Sequence, residues 1–214
     1  MKRILATAAA TLIAAPAMAH HPLNGMPMET FAQGVLSGVG HPVLGFDHLF
    51  FVALVGMAAL FTGRALMAPL AYVAAMLIGC VAAMSGAGLP LAEMAIVGSL
   101  LVLGYLVASG RALTMTSAAL IFGGFGLFHG TAFAGSILGQ EGGASLAVML
   151  GYLIGLGVVQ YAIAVAAGQA LRKLGDAAEA GAMAPRLAGA TVAGVGLFLA
   201  LEMVEGPALA ALGL

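Results

Sequence analysis

The chain is 214 residues long, 63% hydrophobic and only 7% charged, with a formal net charge of −1 and a mean hydropathy of +1.13. Soluble domains average roughly 45–50% apolar residues, so this is not the composition of one, and the near-neutral balance offers no basic surface for nucleic acid. Continuous apolar runs of about 20 residues, without the alternation of a barrel strand, point to an all-α integral membrane protein, because helices satisfy their own backbone in lipid.

In chain order, Lys2 and Arg3 precede an apolar stretch over 4–15 and the small-residue site Ala17-Met18-Ala19. That order predicts a cleavable signal peptide over 1–19. Twelve apolar residues reach only about 18 Å as a helix, against a hydrocarbon core of about 30 Å. The mature chain would begin His20-His21-Pro22, either a metal-chelating amino terminus or a solvated tail. Over 23–40, Phe31, Val35 and Val39 recur at every fourth position among Asn24, Glu29, Gln33 and Ser37. This spacing predicts a short helix on the outer membrane surface, within a periplasmic segment 20–40.

The remainder, 41–214, reads as a six-helix transmembrane domain with spans over 42–62, 66–84, 91–108, 114–138, 145–171 and 187–204. Pro42 suits a first helical turn. With the mature N-terminus outside, the connections 63–65, 109–113 and 172–186 are cytoplasmic and hold Arg64, Arg111, Arg172, Lys173 and Arg186. Every basic residue of the mature chain is then inside, as orientation in a bacterial inner membrane requires. Both mature termini are expected in the periplasm. Cys80, the single cysteine, lies mid-span and excludes a disulfide framework or a cysteine-rich metal site.

This topology places the scarce polar groups in the outer half of the bundle. His41, Asp47 and His48 lie at the outer end of the first span, Glu93 in the first turn of the third, His129 near the middle of the fourth, and Glu141 just beyond it. Ionisable residues within a membrane are functional candidates by default. If 42 onward is helical, His41 and His48 share nearly one face, with Asp47 about 100° from His48. Imidazole and carboxylate without thiolate suit a borderline divalent ion, Ni2+, Co2+ or Zn2+, rather than Mg2+ or Ca2+. The thirteen methionines form no thioether cluster for Cu(I), and the donor types alone do not choose among the divalent ions.

Each candidate has a plainer alternative. His41 suits a helix start at the interface, Asp47 a structural partner for His48, and Glu93 a favourable charge at a helix N-terminus. His129 lies between Gly126 and Gly130, a small-xxx-small face that lets another helix approach closely. Glu141, Glu202 and Glu205 read as interfacial carboxylates. Gln160, Tyr161 and Gln169 are either path lining or polar packing.

The motifs His41-Pro42-x-x-Gly45-x-Asp47-His48, Glu93 through Ser99, and Phe128-His129-Gly130-x-Ala132 together resemble the HupE/UreJ family of nickel and cobalt permeases over nearly the whole mature chain. The resemblance implies secondary transport of Ni2+ or Co2+ toward the cytoplasm, often supplying hydrogenase or urease. It also implies functional roles for His41, Asp47, His48, Glu93 and His129. One position departs: where family members often carry a second histidine after His-Gly-x-Ala, this chain has Phe133. The His20-His21 end is the candidate replacement. No catalytic cofactor is implied, and no Gly-x-x-x-x-Gly-Lys-Ser/Thr motif is present for ATP. Two alternatives remain at this stage: an intramembrane metal hydrolase drawing on Ser37, Ser85, Ser99 or Ser136, and a periplasm-facing metal-binding protein without transport.

Overall fold

A capping box starts the first helix of the computed structural model: the Thr30 side chain accepts from the Gln33 amide at 3.2 Å, and the Gln33 side chain accepts from the Thr30 amide at 3.0 Å. The pair satisfies two donors that a helix start leaves open. The structure describes residues 27–140, 143–173 and 179–211. Among these residues all regular structure is helical: α1 (Phe31–Leu44), α2 (Phe46–Ala59) with a 3-10 turn (Leu60–Thr62), α3 (Ala68–Met84), α4 (Ala92–Ala108), α5 (Met115–Leu138), α6 (Leu146–Lys173) and α7 (Met183–Ala211). The expected signal peptide, His20, His21 and Glu141 lie outside the described residues.

The sequence predicts a helix start at Pro42; the structure places Pro42 inside α1 and the break at Gly45. Proline removes a backbone donor and disfavours a helix interior, but here α1 continues only to Leu44. Gly45 is extended at φ −83°, ψ 99° and still donates its N–H to the His41 carbonyl. The axes of α1 and the segment from Phe46 to Thr62 differ by 83°. The boundary expected between 40 and 41 therefore falls within a helix. His41 and His48 do not share a helix face, because they lie on either side of the bend.

Glycine contacts align the other helices. Cβ atoms added at Gly34 and Gly38 would stand 2.3 and 2.2 Å from the Val148 and Tyr152 carbonyl oxygens, so α1 runs parallel to the first part of α6 with backbones nearly touching. By the same test Gly126 sits on Tyr72 and Gly130 on Met76, pairing α5 in parallel with α3, while Gly104 meets Gly189 and Ala193 of α7. Close small-residue contacts of this kind hold helices together where no hydrophobic effect separates them from lipid. α2 touches all six of the other helices, and its Phe51, Val52, Leu54 and Val55 are fully buried.

Three helical stretches, α5, α6 and 183–205 of α7, are long and apolar enough to cross a membrane, and the bent α1–α2 pair makes a fourth. α3 and α4 are apolar but only 17 residues each, about 26 Å against a core of about 30 Å.

Candidate functional site

Three imidazoles meet where the bend faces α5. His41 lies in the last turn of α1 and His48 in the first turn of α2, and the bend brings their ring centroids to 5.7 Å. His129 projects from the middle of α5, with its Nδ1 2.9 Å from His48 Nδ1. His129 is 0% exposed and His48 6%. The His129 ring stacks on Phe51 at 4.5 Å and meets Tyr72 edge-on at 5.8 Å. Its Nε2 lies 3.1 Å from Ser99 Oγ on α4, and that hydroxyl donates to the Ile96 carbonyl at 2.6 Å.

His41 is held from two other helices. Its Nδ1 is 2.6 Å from Ser136 Oγ and 3.1 Å from the Tyr152 hydroxyl, which itself donates to the Phe133 carbonyl at 2.8 Å. His129, Phe133 and Ser136 follow the i, i+4, i+7 spacing of one helical face. The Phe133 ring packs against all three imidazoles, with centroids 5.0 Å from His41, 4.3 Å from His48 and 6.5 Å from His129.

The carboxylates lie on the more open side. Asp47 is half-buried and its Oδ1 accepts from the His48 backbone N–H at 2.8 Å, so the structural contact foreseen for Asp47 and His48 runs through the main chain. Asp47 also lines a groove of about 390 Å³ with Phe46, Phe50, Val195, Phe198 and Leu199. Glu93 is exposed in the first turn of α4, where the Leu91 cap supplies no side-chain hydrogen bond, and a carboxylate there opposes the partial charge of the helix end. Asp47 and Glu93 interact electrostatically.

The structure thus brings His41, His48 and His129 together with Asp47 at the His48 backbone, and none of these hydrogen bonds or ring contacts joins Glu93 to the imidazoles. Among the described residues no group of three or more His, Cys, Asp or Glu side chains is arranged to hold a metal ion. His48 and His129 are instead hydrogen-bonded to each other, and the Phe133 ring packs among the three imidazoles.

Sequence reading missed three contributors. Ser99 and Ser136 stood out only as generic hydroxyls, although Ser136 lies on the His129 face of α5. Tyr152 had no local signal, since its role depends on α1 packing along α6. Deeper, the Tyr72 hydroxyl donates to Gln160 Oε1, and Gln160 Nε2 is buried without a partner among the described residues.

The family described as HupE / UreJ protein matches residues 8–199. Protein HupE of Rhizobium leguminosarum bv. viciae is 30% identical over 197 residues, covering 88% of this chain and 100% of that protein. No solved structure matches.

Proposed function

The chain belongs to the HupE/UreJ family, and from that premise we propose that it is a secondary permease carrying a divalent transition metal, Ni2+ or Co2+, from periplasm to cytoplasm. The observation that carries this reading is the convergence of His41, His48 and His129, from three helices, with Asp47 accepting from the His48 backbone N–H. Nitrogen and oxygen donors without thiolate fit these ions.

In this reading the chain crosses the inner membrane six times once residues 1–19 are removed, with the bent α1–α2 pair as the first span and both termini periplasmic. Asp47 and Glu93, on the accessible side, attract the hydrated ion; the imidazoles replace part of its water shell. Passage inward then requires the His48–His129 bond to open. His20 and His21 supply further donors at the outer face. The membrane potential favours inward movement by about 2.3 kcal/mol per charge per 100 mV. The ion would serve maturation of a hydrogenase or urease.

One observation favours a second reading. Ser99, His129 and His48 are hydrogen-bonded in line, an order shared with nucleophile, base and orienting group. Against it, the Ser99 hydroxyl hydrogen is directed at the Ile96 carbonyl, and Ser99 is 0% exposed.

The test is uptake into proteoliposomes with Ni2+, Co2+, Zn2+ and Cu2+ in competition. Ni2+ or Co2+ should accumulate, and both Asp47→Asn and His129→Ala should reduce accumulation to background in folded protein. Binding without flux would reject the permease in favour of a metal-binding role, and Ser99-dependent ester or peptide hydrolysis would favour the enzyme.

A further inference from the structure

We infer that Ser99 is a positioning residue: its hydroxyl fixes the tautomer of His129, so that Nδ1, and not Nε2, is the nitrogen that ring offers to the ion. The inference rests on the imidazole cluster being the metal site proposed above.

The argument is a count of hydrogens. A serine hydroxyl has one to donate. At 2.6 Å from the Ile96 carbonyl, an atom that only accepts, Ser99 Oγ commits that hydrogen to its own helix. The second contact of Ser99 Oγ, at 3.1 Å to His129 Nε2, must then be one in which the serine accepts. Nε2 therefore carries the ring hydrogen, and the Nδ1 of a neutral His129 holds the lone pair.

That assignment propagates. His48 Nδ1, 2.9 Å from His129 Nδ1, must be the donor, which leaves the lone pair of His48 on Nε2. Beside them, Tyr152 spends its hydrogen on the Phe133 carbonyl, so at its 3.1 Å contact with His41 Nδ1 the tyrosine oxygen can only accept. His129 thus offers Nδ1 and His48 offers Nε2.

The consequence for transport concerns His129. Its lone pair is capped by the N–H of His48, so an ion reaches it by breaking one hydrogen bond, with no proton to remove from His129 itself. Ligands must be deprotonated to bind metal, and Ser99 ensures that the proton sits on the far nitrogen. Holding the remote N–H of a ligating histidine is the usual task of such a partner.

The plainer alternative is that Ser99 only satisfies its own helix. Mid-helix serines often bond back to a preceding carbonyl, and the contact with His129 would then be incidental packing. The two readings differ in what happens to the ring.

The full chain in detergent, 15N-labelled at histidine, provides the test. Ring nitrogen shifts of metal-free protein report which nitrogen bears hydrogen, with the His129 signals assigned by their loss in His129→Gln. The expected wild-type result is a protonated Nε2 and an unprotonated Nδ1; the reverse would overturn the inference without any Ser99 variant. Ser99→Ala should give mixed tautomers and weaken Ni2+ binding on the order of 10- to 100-fold. Ser99→Thr, which keeps a hydroxyl able to bond a preceding carbonyl, should restore both. Wild-type tautomer and wild-type affinity in Ser99→Ala would show the contact to be packing. A wild-type protein that binds no Ni2+ would instead overturn the metal reading, and the two failures are separable because the tautomer is read without metal.

Discussion

α5 has two working faces, and they differ in what they tolerate. Toward α3, Gly126 and Gly130 bring the backbones into close approach; toward α1 and α2, His129, Phe133 and Ser136 present rings and a hydroxyl. The first face has no room to adjust, whereas the second is an arrangement of side chains that can rotate. His129 and Gly130 are neighbours in sequence, so the position of the imidazole is set by the glycine contact beside it.

The largest effect is therefore expected on the glycine side. A Cβ at position 130 would stand 2.0 Å from the Met76 carbonyl oxygen, which is backbone and cannot turn aside. Gly130→Ala should force α3 and α5 apart, cost about 1–3 kcal/mol as overpacking does, and abolish uptake, read as a lowered melting temperature in detergent alongside lost transport. Gly124, on the same helix with nothing within 4 Å of its Cβ, is the control: Gly124→Ala should be neutral or slightly stabilising, since alanine is the better helix former. Equal melting of the two variants would erase the distinction between the faces.

On the side-chain face, Phe133→His should do the reverse and add function. A fourth imidazole beside His41 and His48 should tighten Ni2+ binding about tenfold in titration calorimetry, one good donor being worth about 1.4 kcal/mol in the range of a charge-assisted contact. Unchanged affinity would mean that position 133 does not border the ion. The smallest effect is expected for Tyr152→Phe. It removes an acceptor at His41 Nδ1 and the donor to the Phe133 carbonyl. A single hydrogen bond is worth about 1 kcal/mol net, so affinity should fall a few-fold while melting changes little. A loss as large as that of Gly130→Ala would show the tyrosine to be part of the framework.

Much of this was legible in the sequence, and the rest was not for definite reasons. The helices of α3 to α6 lie close to where apolar run length places them, and Gly126 and Gly130 make the tight contact that their spacing foretells. Local pattern failed at Gly45. Gly40, Pro42 and Gly45 each could break a helix, and the choice is made by α1 seating Gly34 and Gly38 on α6, a contact over a hundred residues away in sequence. The same non-local packing hides Tyr152 from sequence reading. The meeting of His41 and His48 was foreseen, but through one shared helix face; the bend achieves it instead. Hydropathy also reads α3 and α4 as spans, and their 17 residues each stand at the short end of the roughly 17–25 that cross a bilayer.

Phe133 touches all three histidines and can coordinate nothing. Under the proposed permease reading, an ion among these rings would keep part of its own water, because Phe133 offers no donor to replace it. Conduction requires a stop that is favourable to reach and easy to leave. In that reading an inert ring at the centre of the cluster would shorten each stop, trading depth of capture for speed of escape.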